Sequence, residues 1–150
     1  MANTYTQLYV HIIFSTRRRQ KVLYKTFRKD LFRYISGILK KKGQVPLAVN
    51  GTIDHIHIFT SFAPATSISE LVRDIKHSST NFIKKKELVN QQFNWQKGYG
   101  AFTYSKSQLN NVIRYITDQE EHHRHKSFEE EYFEFLKKFG IEFDGRHVFD

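Results

Sequence analysis

The order in which hydrophobic periodicities follow one another constrains this chain more than any other feature. Thr6, Leu8, Val10, Ile12 and Phe14 alternate with Gln7, Tyr9 and His11, the period of two that buries one face of a strand. Phe27, Leu31, Tyr34, Ile35, Ile38 and Leu39 then recur at helical spacing. Lys40 to Lys42 suit the negative end of that helix, and Gly43 is its expected stop. Val45 to Val49 and His55 to Phe62 read as two more strands. Their turn falls either at Asn50-Gly51, a strong hairpin dipeptide, or over Thr52 to Asp54. A capping box at Ser67-Ile68-Ser69-Glu70 opens a second helix with Leu71, Val72, Ile75, Phe82 and Ile83 inward. Glu87 to Lys97 reads as a connector and Ala101 to Tyr104 as a fourth strand. Two further capping boxes, Ser105 with Gln108 and Ser127 with Glu130, open a helix over 105–122 and a last one over 127–139, which Gly140 ends.

The predicted order is therefore β-α-β-β-α-β followed by two helices. That is an α+β, ferredoxin-like arrangement: a four-stranded antiparallel sheet with two helices on one face. The chain is expected to be a single domain over 1–150, with its core in 5–104 and the other sheet face free for function. Net charge is +9, and lysines and arginines are spread along the chain, which predicts a basic surface and a polyanionic partner. The absence of cysteine excludes disulfides, thiolate metal sites and cysteine nucleophiles. Met1 to Gln7 has no basic region followed by an apolar stretch, and no apolar run approaches the ~20 residues of a membrane span. A cytoplasmic protein without membrane contact is the expectation.

The third strand reads Asp54-His55-Ile56-His57-Ile58-Phe59. Residues i and i+2 share a face, so His55 and His57 project together while Ile56 and Ile58 enter the core. Two imidazoles ~6–7 Å apart along a strand can converge on one cation. His11 falls on the same polar face, either beside them or as an ordinary exposed strand histidine. In the helix after Ser105, Tyr115 and Gln119 are i and i+4 neighbours at the border of the apolar stripe, a place where a side chain is half packed and half presented. A divalent ion on two imidazoles and an amide oxygen polarises a phosphate, and a tyrosine hydroxyl attacks phosphorus to give a phosphotyrosine ester. The ester conserves the phosphodiester energy, so a DNA 3′-hydroxyl reverses the step. The base that takes the phenol proton is not identifiable from sequence. The run His122-His123-Arg124-His125 reads as a solvated helix end, because adjacent helical residues diverge in direction. Trp95 reads as a packing anchor or a stacking surface for a base.

The pieces D-H-I-H-I-F, L-V-R-D-I-K-H-S-S, W-Q-K-G-Y-G-A-F and V-I-R-Y-I-T-D-Q-E-E-H-H resemble, in order and over Tyr5 to about Asp144, the small single-tyrosine HUH-type transposases of bacterial insertion sequences. The resemblance implies that His55, His57 and Gln119 bind Mg²⁺ or Mn²⁺ and that Tyr115 is the nucleophile. It also implies a homodimer acting on single-stranded DNA with subterminal hairpins, and a hinge at Gly98 and Gly100. Imidazole ligands further favour Mn²⁺ as an activating ion. DNA contacts are expected from Arg17, Arg18, Arg19 and Lys21, from Arg73, Lys76 and His77, and from Lys84 and Lys85, with strong salt dependence.

Two other readings use the same sequence. Lys97 to Tyr104 resembles the octamer of RNA-recognition motifs, which would make the chain a non-catalytic RNA-binding module, although that octamer belongs on a third strand and here follows it. A domesticated nickase acting on repetitive hairpins would use the same four catalytic positions as a transposase.

Overall fold

A computed structural model describes residues 3–150; Met1 and Ala2, at the head of the Met1–Gln7 segment, lie outside the described residues. Strands β1 (Tyr9–Ser15), β2 (Pro46–Gly51), β3 (His55–Ser61) and β4 (Gly100–Thr103) form one antiparallel sheet in the order β2-β3-β1-β4. Helices α1 (Lys25–Lys41) and α2 (Ile68–Lys85) bury their apolar stripes on one face. There Val10, Ile12, Phe14, Ile56 and Ile58 meet Leu31, Ile35, Leu39, Leu71 and Ile75. This is the ferredoxin-like arrangement the periodicities predict.

Local chemistry accounts for most boundaries. Ser67 Oγ accepts from the Glu70 backbone N–H at 3.3 Å and Ser127 Oγ from that of Glu130 at 3.2 Å, so the serine half of two of the three capping boxes forms. Gly43 and Gly140 adopt φ of +79° and +67° where α1 and the last helix end. The β2–β3 turn is held over Thr52 to Asp54, with the Thr52 N–H donating to the His55 carbonyl at 3.1 Å. Gly51 remains in β2, where a Cβ would lie 2.2 Å from the His55 carbonyl oxygen. The alternation beginning at Thr6 overruns the strand, since Thr6 and Leu8 lie outside β1 and Leu8 is exposed.

Two expectations are corrected. The helix predicted over 105–122 is three pieces. Ser105 Oγ pairs with Ser107 Oγ at 2.7 Å instead of capping, a 3-10 turn over 106–108 follows, and α3 (Leu109–Thr117) is separated from α4 (Gln119–His122) at Asp118. Thr117 Oγ1 donates back to the carbonyls of Ile113 and Arg114, and Asn50 Nδ2 donates to those of Ile116 and Thr117. These bonds compete with continuation of the helix. The second correction is that the far sheet face is not free. Ile13 and Phe102 lie under Phe128, Tyr132 and Leu136 of α5 (Phe128–Lys138), and Phe59 lies under Val112 and Ile116 of α3. Those three strand residues make the far face apolar as well, so it requires a second covering layer. Gly100 pairs with Ile13 in β4, and a Cβ there would meet the Tyr132 ring at 2.9 Å, so close packing rather than hinge freedom explains that glycine. Among the described residues no helix is long and apolar enough to cross a membrane.

Candidate metal and tyrosine site

His55, His57 and His11 all point to the far face and are fully buried beneath the C-terminal helices. The register explains their meeting. Ile13 faces His57 and Ser15 faces His55, so His11 is the diagonal neighbour of His57 across the β1–β3 pair. The His11 Nε2 to His57 Nδ1 distance is 2.8 Å. On the outer side of His55, Nδ1 donates to Asp54 Oδ1 at 2.8 Å, and the imidazole stacks on Phe128 at 3.9 Å between centroids. A carboxylate behind one imidazole and a second imidazole behind the other fix both ring orientations and leave both Nε2 atoms turned inward.

Four side chains, Gln119, His123, Glu131 and Tyr115, close the cluster around the imidazole pair. Gln119 is buried, with Oε1 3.0 Å from His55 Nε2 and 3.0 Å from His123 Nε2. Glu131 Oε1 lies 3.1 Å from His57 Nε2, 3.3 Å from His123 Nε2 and 3.8 Å from His55 Nε2. Glu131 Oε2 accepts hydrogen bonds from the Tyr115 hydroxyl and from Gln119 Nε2. Gln119 opens α4 just past the break at Asp118, on the same face as Tyr115, and α5 delivers Glu131. One carboxylate therefore spans the imidazole pair and the phenol.

The electrostatics follow from burial and from that carboxylate. Burial lowers the pKa of His11 well below its ordinary value and also lowers that of His57, against the raising pull of Glu131. Burial works to raise Glu131, but hydrogen bonds from His123 and His57 hold its carboxyl well below the usual range. Burial lowers His123 less than its contact with Glu131 raises it, so its net shift is upward. Burial and the adjacent Glu131 charge push the Tyr115 phenol far above its ordinary value. The phenol is thus held hydrogen-bonded and protonated until positive charge arrives beside it. Its ring lines three shallow clefts of about 180, 210 and 230 Å³, whose other walls include Lys126, Lys138, Tyr104 and His122.

Every candidate catalytic residue is brought into the cluster: His55, His57, Gln119 and Tyr115. Glu131 and His123 were not anticipated. Glu131 did leave a signal, since it lies three residues after Phe128 and four before Phe135, a carboxylate in phase with the buried stripe. His123 lies four after Gln119, and it is drawn inward rather than left at a solvated helix end.

The basic residues divide. Arg17 and Arg18 are exposed without side-chain partners among the described residues, in a turn leaving β1 beside the strand end that carries His55. Arg18 and Arg19 hold left-handed φ of 55°, fixed by backbone bonds from Arg17 to Asn94 and from Arg18 to Phe149. Arg19 instead packs its guanidinium 5.0 Å over the Phe149 ring. Lys21, Arg73, His77, Lys84 and Lys85 are exposed. Lys76 is corrected to a structural role: its ammonium donates to the carbonyls of Gln96, Lys97 and Gly98 at 2.7–3.2 Å. Trp95 is a packing anchor, edge-on to Phe14 and Phe93 with Nε1 donating to Ser79 Oγ at 3.0 Å.

Fold and site define a small α+β protein with a candidate cation centre set against a tyrosine helix. The family described as "Transposase IS200 like" matches residues 4–119, and the chain belongs to that family. Among curated proteins none matches it by sequence. Among solved structures it is similar to a protein of Deinococcus radiodurans R1 provisionally assigned as a transposase, with 21% identity and a TM-score of 0.65 over 79% of this chain and 95% of that one. It is also similar to a REP-associated tyrosine transposase bound to a REP hairpin, with 16% identity and a TM-score of 0.58 over 79% of this chain and 70% of that one. At these identities the two structures bear on the fold alone.

Proposed function

We propose that this transposase cleaves and rejoins single-stranded DNA through a covalent bond to Tyr115, with His55, His57 and Gln119 holding Mg²⁺ or Mn²⁺. The carrying observation is that one carboxylate, Glu131, touches both the imidazole pair and the phenol. The nucleophile and the donor set are therefore close enough for a single phosphate to reach both. Two imidazoles and an amide oxygen, with their outer nitrogens anchored on Asp54 and His11, suit a divalent ion. When bound, that ion supplies Lewis-acid stabilisation of charge on the phosphate.

The chain's own residues do the rest. Tyr115 gives up its phenol proton as its oxygen attacks phosphorus, the bond from phosphorus to the 3′-oxygen breaks, and the 3′-oxygen takes up one proton as it leaves, so that the proton count is unchanged and the 5′-phosphate is held on tyrosine. Attack by another 3′-hydroxyl reverses the sequence. Arg17 and Arg18, with Lys21, Arg73, His77, Lys84 and Lys85, provide charge for the backbone of hairpin-bearing strands. Each chain has one such tyrosine, so holding two cut ends at once calls for a homodimer. The RNA-binding alternative is disfavoured because it needs an open sheet face, and here α3 and α5 cover it.

The test is incubation of the protein with hairpin-bearing single-stranded oligonucleotides and Mn²⁺. A covalent protein–DNA band is expected, abolished by EDTA and by Tyr115→Phe, while the variant still binds DNA. A folded protein that forms no adduct across a hairpin library refutes the proposal.

A further inference from the structure

The residues that follow the tyrosine helix carry donors the family match does not reach, since it ends at residue 119. We propose that this segment completes the cation shell, with His123 Nε2 and Glu131 Oε1 as ligands beside His55, His57 and Gln119. The inference rests on the cation reading above and adds two ligands to it.

Distances carry the argument first. The separations from His55 Nε2 and His123 Nε2 to Gln119 Oε1 are both 3.0 Å, and those from His57, His123 and His55 Nε2 to Glu131 Oε1 are 3.1, 3.3 and 3.8 Å. Neighbouring ligands around an octahedral ion with bonds of about 2.1 Å lie about 3 Å apart. His55, His57 and Glu131 already bring ligand atoms within 4.8 Å of one another, and His123 Nε2 adjoins that group through Gln119 and Glu131.

Donor chemistry carries it second. His123 Nδ1 lies 2.7 Å from the Lys126 carbonyl, an acceptor only, so Nδ1 bears a hydrogen, and in the neutral ring it is the Nε2 lone pair that faces the cluster. His55 is locked the same way by Asp54. Two imidazole lone pairs then face one amide oxygen, and a carboxylate oxygen stands beside them. Acceptors crowded at 3.0–3.3 Å repel unless positive charge sits among them; a proton on His123 Nε2 serves its own two contacts in the metal-free protein, and a divalent ion in its place satisfies all of them together. Glu131 then bridges: Oε1 serves the ion while Oε2 keeps the Tyr115 hydroxyl beside it. Five protein donors leave a sixth position for a phosphate oxygen. With three imidazoles the shell favours Mn²⁺ over Mg²⁺.

The experiment is a Mn²⁺ titration of the full chain by calorimetry, with pulsed EPR of the bound ion, in the wild type, Glu131→Gln, His123→Gln and His57→Ala. Circular dichroism and thermal melts verify folding, and either of the first two variants suffices if the other does not fold. The expected result is that Glu131→Gln and His123→Gln each weaken Mn²⁺ binding by at least about 10–100-fold. The imidazole couplings of the bound ion should fall from three to two in His123→Gln. Affinity within about twofold of wild type in both folded variants, with His57→Ala still abolishing binding, overturns this inference and leaves the proposed function standing. A wild type that binds no Mn²⁺ overturns both.

Discussion

Folding of the metal-free protein should depend steeply on pH through two buried imidazoles. His11 and His57 are fully buried, and burial lowers the pKa of each below the 6.5 of an exposed histidine. Above that value both are neutral in the folded and unfolded states and contribute no slope. As pH falls below it, the unfolded chain takes up both protons while the folded chain does not, so stability is lost toward acid. Each unmatched proton is worth about 1.4 kcal/mol per pH unit, so the pair approaches about 2.7 kcal/mol per unit. Down to pH 5 the loss is at most about 4 kcal/mol, against a typical total of about 5–15 kcal/mol. His123 has the opposite sign: its pKa is raised, so its stabilisation is complete below 6.5 and fades as pH rises. The carboxyls of Asp54 and Glu131 are lowered, so their contribution is lost only as pH falls below the ordinary carboxylate values. Urea unfolding in EDTA at about pH 7, 6 and 5 measures the slope. His11→Leu, whose side chain suits the surroundings of Phe59, Phe102, Tyr104 and Phe135, should halve it. Parallel acid losses in wild type and variant would refute the assignment of His11 as a buried neutral imidazole.

Gly51→Ala places a Cβ 2.2 Å from the His55 carbonyl oxygen and 2.9 Å from Ile56 Cα, both backbone atoms. It should cost about 1–3 kcal/mol in thermal unfolding and reduce adduct formation by shifting the histidine strand; wild-type values for both would contradict this. Arg17→Ala with Arg18→Ala should flatten the dependence of log affinity on log salt for single-stranded DNA by up to about 1.4. Lys76→Met should leave that slope unchanged yet cost about 1–3 kcal/mol in urea unfolding, because three carbonyls lose their donor. Burial brings the Lys76 pKa down to about 8, in keeping with an inward ammonium. A reduced salt slope in Lys76→Met would return that lysine to the DNA surface.

Much of the architecture was legible because its causes are local. Ser67 and Ser127 cap their helices, Gly43 and Gly140 end theirs, and Ile56 and Ile58 enter the core while His55 and His57 leave it. The third capping box fails because Ser105 precedes a 3-10 turn over 106–108 and not α3 itself, which starts only at Leu109 with Gln108 at its N-cap. The break at Asp118 was not legible because Asn50, which helps to end α3, is distant in sequence.

The amino-acid sequence by itself determined the strand and helix order, the shared face of the histidine pair, and the residue types the chemistry needs. Alternation, helical phase and capping act over a few residues, so they can be read along the chain. Tertiary structure alone decided what covers that face. It placed His11 behind His57, brought His123 and Glu131 beside Gln119, and turned Lys76 inward. Those outcomes depend on α5 docking over an apolar sheet face, and on the β1–β3 register, neither of which has a local determinant. A buried carboxylate can join three imidazoles and a phenol only when elements far apart in the chain pack together.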